Sequence, residues 1–214
     1  MALDVTMLTV GQIAENCFLF RRDGSDRAVI VDPGDEAERI LAAAEELGVS
    51  IEAILLTHTH FDHIGAVAPI AKATGAPVWC PEIEAPVLAD INSFVPWPGF
   101  GPFESYDADH TVAGGEKLEL AGMEIDVIFT PGHSPGHVTY SVPDEAAIFS
   151  GDVLFQGSVG RIDLPGGDGP TLLESIRKLI EALPPETKVY PGHMGITSLG
   201  AEQATNPFLT ELAR

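Results

Sequence analysis

Apolar positions near the amino terminus fall into short runs, "VTMLTV", "NCFLFRR" and "RAVIVDPG", separated by turn residues. Strand side chains alternate between two faces, so runs of this length predict strands, here an antiparallel meander ending at the Pro33-Gly34 turn. The period then changes. "DEAERILAAAEELG" sets Ile40, Leu41, Ala44 and Leu47 on one face, starts acidic and stops at Gly48, which predicts a surface helix packed on a sheet. "IEAILLT" follows as a buried strand, "IGAVAPIAKATG" as a second helix and "APVWC" as another strand, completing a β-loop-α-β unit.

Residues 91–110, "INSFVPWPGFGPFESYDADH", have no clear period and read as a long loop, either one wall of a substrate pocket or a segment whose aromatics pack down on the surface. The pattern then repeats in reduced form. "EKLELAGMEIDVIFTPG" reads as a hairpin, "HVTYSV" and "AAIFSGD" as strands, "TLLESIRKLIEAL" as a helix and "TKVYPGH" as a last strand. Two β-rich halves, each with helices, predict an α/β fold of the four-layer α/β/β/α sandwich type. At 214 residues, without a close repeat or a low-complexity stretch, the expectation is one domain over 1–214.

Composition narrows the partners. Eleven Lys and Arg against thirty-two Asp and Glu leave a net charge of −21, which repels phosphate backbones and anionic membranes. Nucleic acid and membrane are therefore excluded as expected partners. No run approaches the ~18 to 20 apolar residues of a membrane span, and "MALDVTMLTVG" lacks the basic start and apolar stretch of a signal peptide, so a cytoplasmic location is expected. Cys17 and Cys80 are too few for a disulfide framework and are expected to be ordinary buried thiols.

Candidate chemistry sits after the apolar runs. "AILLT" is followed by His58, His60, Asp62 and His63, "VIFTPG" by His133, "AIFSG" by Asp152 and "KVYPG" by His193. Strand ends are where α/β proteins place reactive groups, and imidazole and carboxylate form the N/O set that suits zinc, iron or manganese. Seven such ligands exceed what one ion needs and fit two, three apiece with one carboxylate shared. The Gly-rich "GSVGRIDLPGGDG" lacks the G-x-x-x-x-G-K-[ST] order of a phosphate loop and reads instead as a tight loop presenting Arg161. Arg161 is a candidate for substrate carboxylate or amide recognition, or for a structural ion pair with Asp163. His110, ahead of a predicted strand, reads as structural.

"THTHFDH" matches the T-H-x-H-x-D-H signature of the metallo-β-lactamase superfamily, and "TPGHSPGH", "SGD" and "YPGH" follow in that superfamily's order. Within it, "TPGHSPGHVTY", "GDVLFQGSVGRIDLPGGD" and "TSLGAEQATNPFL" resemble the short glyoxalase II-like hydrolases, relatives of hydroxyacylglutathione hydrolase. The resemblance covers almost the whole chain. It implies a first metal held by His58, His60 and His133, a second by Asp62, His63 and His193, and Asp152 bridging them. His137 corresponds to a position that supports the ligands without binding metal, and Arg161 to a basic side chain offered to the thiol. "PGHMGIT" departs from the relatives' P-G-H-G-P-x-T at Met194, Gly195 and Ile196. Full-length glyoxalase II continues into a helical region with further basic residues for glutathione, whereas this sequence closes on "NPFLTELAR".

The implied activity is hydrolysis of an acyl-thiol such as S-D-lactoylglutathione. Two divalent ions, zinc first with iron or manganese as alternatives, would lower the pKa of a shared water toward ~7 and generate a bridging hydroxide, with Asp62 orienting it. A persulfide dioxygenase of the same fold is the alternative, with His58, His133 and Asp152 as the triad of a single iron. A metal-binding scaffold without turnover is a third. The expected partner is a small acyl-thiol, and oligomeric state is not written in the chain.

Overall fold

The computed structural model describes residues 2–209. Strands β1 (Leu3–Val10), β2 (Glu15–Arg22) and β3 (Arg27–Val31) pair antiparallel, the predicted meander. Helix α1 (Ala37–Glu46) crosses over to β4 (Ser50–Leu55), parallel to β3. Short helices α2 (Phe61–Ile64) and α3 (Val67–Thr74) lead to β5 (Val78–Pro81), and α4 (Ala85–Leu88) and a loop lead to β6 (His110–Val112), so the sheet runs β1 to β6 in order.

The second sheet opens with an antiparallel meander of β7 (Lys117–Leu120), β8 (Met123–Phe129), β9 (Val138–Val142) and β10 (Ala147–Gly151). A small ribbon, β11 (Leu154–Phe155) with β12 (Ser158–Val159), precedes helix α5 (Gly169–Ala182). Strand β13 (Lys188–Pro191) returns parallel to β10, and β14 (Thr197–Ser198) and helix α6 (Leu199–Thr205) complete the order β14-β13-β10-β9-β8-β7.

Both faces of each sheet are covered, which explains the nearly continuous apolar runs. In β2, Cys17 and Leu19 face the helices while Phe18 and Phe20 face the other sheet; in β3, Ala28 and Ile30 divide from Val29 and Val31 in the same way. Between the sheets, Phe20 stacks on Phe149 at 4.4 Å and Phe149 on Tyr190 at 5.1 Å between ring centroids. Ile40, Val67 and Ile70 cover the outer face of the first sheet, and Leu172, Ile176 and Leu179 that of the second. The layers are therefore α/β/β/α, as the sequence predicts.

Some elements differ from the reading of the sequence. Asp62 and His63 lie on the helical turn α2 rather than in an open loop, and His110 opens strand β6 instead of preceding it. The elements α4, β11, β12, β14 and α6 are too short to carry a periodic signal. Cys17 and Cys80 are free and fully buried, as expected. Among the described residues no helix is long and apolar enough to cross a membrane.

Candidate metal centre

Strands β10 and β13 are parallel, and β8 lies two antiparallel steps from β10, so all three end at one edge of the sandwich. The chain after β4 meets them there: the amide of Val138 donates to the Thr57 carbonyl at 2.9 Å, joining the two sheets beside the site. Asn16, at the start of β2, adds a second tie, donating through Nδ2 to the carbonyls of Pro191 and Met194 at 3.1 and 2.9 Å.

All seven strand-end residues converge at this edge. His60 Nδ1 lies 3.1 Å from His58 Nε2 and 2.8 Å from His133 Nε2. A second group forms where Asp62 Oδ2 approaches His193 Nε2 at 3.3 Å and His63 Nε2 at 3.8 Å. Asp152 reaches both groups: its Oδ2 is 3.4 Å from His133 Nε2 and 3.6 Å from His193 Nε2, and its Oδ1 is 3.3 Å from His63 Nε2. Each three-residue group could hold a metal ion, as could an overlapping set of Asp32, His58 and His63.

Hydrogen bonds on the far side of the rings set the tautomers. The Thr57 hydroxyl gives its one proton to Asp32 Oδ2 at 2.6 Å, so at 3.0 Å from His58 Nδ1 it accepts from that ring. His58 Nε2 is left bare toward the site. The Arg161 carbonyl accepts from His133 Nδ1 at 2.7 Å, leaving its Nε2 bare as well, and Asp32 Oδ2 accepts from His63 Nδ1 at 3.1 Å, which turns that ring's Nε2 toward the site. His137 is different. Its Nε2 accepts from the Asp152 amide at 3.1 Å and its Nδ1 faces Thr130 Oγ1, so it fixes the backbone of Asp152 and offers no free nitrogen.

Electrostatics favour the ligating forms of His58, His60 and Asp152. Burial drives His58 far below the usual imidazole range, and burial with the charge of His133 lowers His60 to about 4, so both are neutral at pH 7. Burial would raise Asp152, but His63 and His133 outweigh it and hold the carboxyl well below the ordinary range. His63 differs: burial opposes its charge, yet Asp152 and Asp62 together raise it well above its ordinary value, which favours the cationic ring, so here a bound cation would take the place of a proton. His63 Nε2 and Asp152 Oδ1 are buried without a hydrogen-bond partner, and the bare Nε2 atoms of His58 and His133 both face the one Nδ1 of His60, which has a single proton at most to share between them. Buried polar atoms arranged this way are costly unless a cation lies among them, so the residues fit a metal.

Three supporting carboxylates are not evident from the sequence. Asp32 follows β3 directly, where the strand-end rule that picks out the candidate ligands applies equally, but "DPG" reads as a turn. Glu84 accepts from Thr59 Oγ1, Ser134 Oγ and the Gly136 amide, each at 2.7 Å, and so ties the loop of His58 and His60 to the loop of His133. Glu15 is buried beneath the site, 3.8 Å from His63 Nδ1; burial pushes its carboxyl well above the usual range. Neither glutamate has a local signal, because its partners lie far along the chain.

A cavity of about 710 Å³ opens over the cluster, with His60, Asp62, His133, Asp152 and His193 in its lining. The 91–110 segment serves both expected purposes: Ile91, Phe94 and Trp97 line the cavity, while Phe100 and Phe103 pack on Phe61 at 4.9 and 5.8 Å. Arg161 forms a bidentate pair with Asp163 at 2.7 Å for each bond and sits 5.4 Å over the Trp97 ring, at the mouth. Its loop passes so close to Asp152 that a Cβ on Gly160 would fall 1.9 Å from the Asp152 carbonyl. His110 stacks on Trp79 at 4.1 Å, away from the cavity lining, the structural role expected of it.

A model of the metallo-beta-lactamase superfamily matches residues 10–193. The chain is 41% identical over 207 residues to the probable metallo-hydrolase YqgX of Bacillus subtilis, covering 94% of this chain and 95% of that one. It is 34% identical to the hydroxyacylglutathione hydrolase GloC of Haemophilus influenzae, covering 97% and 98%. Among solved structures, BLEG-1, a B3 metallo-beta-lactamase, superposes with a TM-score of 0.91 at 40% identity, over 97% of this chain and all of that one. TTHA1623, solved in a di-iron-bound form, gives 0.84 at 42% identity, over 95% and 100%.

Proposed function

The chain belongs to the metallo-β-lactamase superfamily, and on that footing we propose that it is a metal-dependent hydrolase of thioesters, S-D-lactoylglutathione among them. The observation that carries the reading is the position of Asp152, whose carboxylate faces His133 of one histidine group and His63 and His193 of the other. His58, His60 and His133 would hold one divalent ion, Asp62, His63 and His193 a second, and Asp152 would serve both. Zinc, iron and manganese all suit this donor set, and the di-iron form of TTHA1623 supports a pair.

Divalent ions in these positions supply Lewis acidity, which acidifies water and polarises a carbonyl oxygen. The chain's own residues do the rest. Thr57, Asp32 and the Arg161 carbonyl keep the imidazoles in the tautomer that turns Nε2 toward the site. Asp62 lines the cavity beside His193 and would orient the attacking water. The apolar cavity wall keeps bulk water away from the acyl group. The attacking water gives up a proton to solvent, the new C–O bond forms, and the C–S bond breaks with its electron pair on sulfur, which solvent then protonates to the free thiol. A thiolate is a good leaving group, so no strong general acid is needed.

The hydrolase name of GloC supports a thioester in particular. A single-iron persulfide dioxygenase using His58, His133 and Asp152 draws less support, because Asp152 approaches residues of both groups. Metal analysis of protein purified without added metal, with thioester cleavage and oxygen uptake on glutathione persulfide measured side by side, tests the choice. Two metals and acid release are expected; a filled site that cleaves no thioester would overturn the proposal. A small acyl-thiol is the proposed partner, and the charge of −21 speaks against nucleic acid.

A further inference from the structure

We infer that the preferred thioester carries an apolar acyl group of hexanoyl or phenylacetyl size, larger and less polar than lactoyl. The inference rests on the thioester reading above and concerns the wall of the cavity rather than its floor. Ile83, Val87, Ile91, Phe94, Trp97 and Met194 all belong to that wall. Among the described residues nine large apolar side chains are exposed, and four of them, Ile83, Phe94, Trp97 and Met194, ring this one mouth. Exposed apolar surface concentrated around a catalytic opening marks a place where apolar ligand is received.

Polar recognition is scarce on the same wall. Arg161 is the one Lys or Arg of the described residues that lines the cavity, and its guanidinium is held by Asp163 and lies over Trp97. The hydroxyls of Thr59 and Ser134, which also reach the lining, donate to Glu84. A thiol with two carboxylates and an ammonium finds few partners here. An apolar chain beside the metal ligands finds many. The space of about 710 Å³ exceeds what a lactoyl group fills and lies within the usual range for a drug-sized ligand.

Met194 adds an independent sign. Its φ of 68° lies in the left-handed region, where a side chain is strained, and more than half of its surface is exposed. An apolar side chain kept in such a backbone, at the rim of the cavity, is consistent with a contact made to ligand.

The test is a series of acetyl, butanoyl and hexanoyl thioesters of one small neutral thiol, N-acetylcysteamine, with S-D-lactoylglutathione as the polar comparison, on metal-loaded protein. Each buried methylene is worth about fourfold in binding, and lengthening the chain does not make the carbonyl more reactive. Hence kcat/KM is expected to rise tenfold or more from acetyl to hexanoyl, and hexanoyl to exceed lactoylglutathione. Trp97→Ser and, separately, the more exposed Ile83→Ser are expected to lower the hexanoyl-to-acetyl ratio at least fourfold. A flat or falling series, or a lactoyl preference, overturns this inference while leaving the hydrolase reading intact. No cleavage of any thioester overturns the hydrolase reading itself.

Discussion

Glu84 shows how one side chain can set the position of ligands it does not touch. Its carboxylate accepts from Thr59, between His58 and His60, and from Ser134, next to His133, so the two loops of the first ligand group close on one buried acceptor. Glu84→Ala leaves two hydroxyls and the Gly136 amide without that acceptor, at about 1 to 3 kcal/mol for each buried donor left unpaired. Weaker metal binding at the first group, by about 10- to 100-fold, is expected from loss of such outer support, with a lowered Tm. Metal titration of the variant against Glu84→Gln, which keeps one acceptor oxygen and should recover part of the loss, checks it. Met194 offers the opposite case. Met194→Gly removes the left-handed strain while keeping the carbonyl that Asn16 holds, so a gain of about 1 kcal/mol is expected after allowing for the extra freedom of glycine when unfolded. A higher denaturant midpoint with an unchanged slope would show it.

At the scale of elements, the long loop before β6 is tied at its base by the Ile91 amide to Ser105 Oγ and the Tyr106 amide to the Leu88 carbonyl, and nearer its tip by Asn92. Asn92 accepts from the Phe103 amide and donates to the Phe103 carbonyl, each at 2.8 Å, which closes the segment that carries Phe94, Trp97 and Phe100. Asn92→Ala should cost about 1 to 2 kcal/mol locally and release the aromatic wall. Faster amide exchange over residues 94–103 with unchanged exchange in β4 and β10 is the expected pattern, and equal protection in both proteins would refute it. The strands beneath this loop are legible in the sequence because each is buried on both faces and ends at a turn, and the residues that converge at the candidate site are legible because they sit at those ends. The loop itself has no period, so its function emerges only from what it packs against. Asp32 and Glu84 are hidden for a related reason: a carboxylate in "VDPG" or "PEIEAP" looks like surface, and its burial depends on partners 25 to 52 positions away. Asp62 and His63 lie on a helical turn where the sequence reads as loop, since a four-residue helix is too short to leave a pattern.

For the whole molecule, the candidate ligands come from both sheets: His58 to His63 follow β4 of the first, and His133, Asp152 and His193 follow β8, β10 and β13 of the second. Metal would therefore act as a clamp at one edge of the sandwich, while the aromatic cluster of Phe18, Phe20, Phe149 and Tyr190 holds the sheets together between them. An ion that binds only the folded chain stabilises it by about 2.7 kcal/mol at a free concentration a hundred times its Kd. Chelation should then lower Tm by several degrees, since for a domain near this size each kcal/mol corresponds to roughly 2 to 4 °C, and zinc, iron or manganese should restore it. Loss of protection is expected first in the segments after β4, β8, β10 and β13, where bare imidazoles and the carboxylate of Asp152 are left facing one another. The inter-sheet core should stay protected. A chelated protein with unchanged Tm and unchanged exchange at those four strand ends would mean that the convergence of seven ligands does not bind metal in solution.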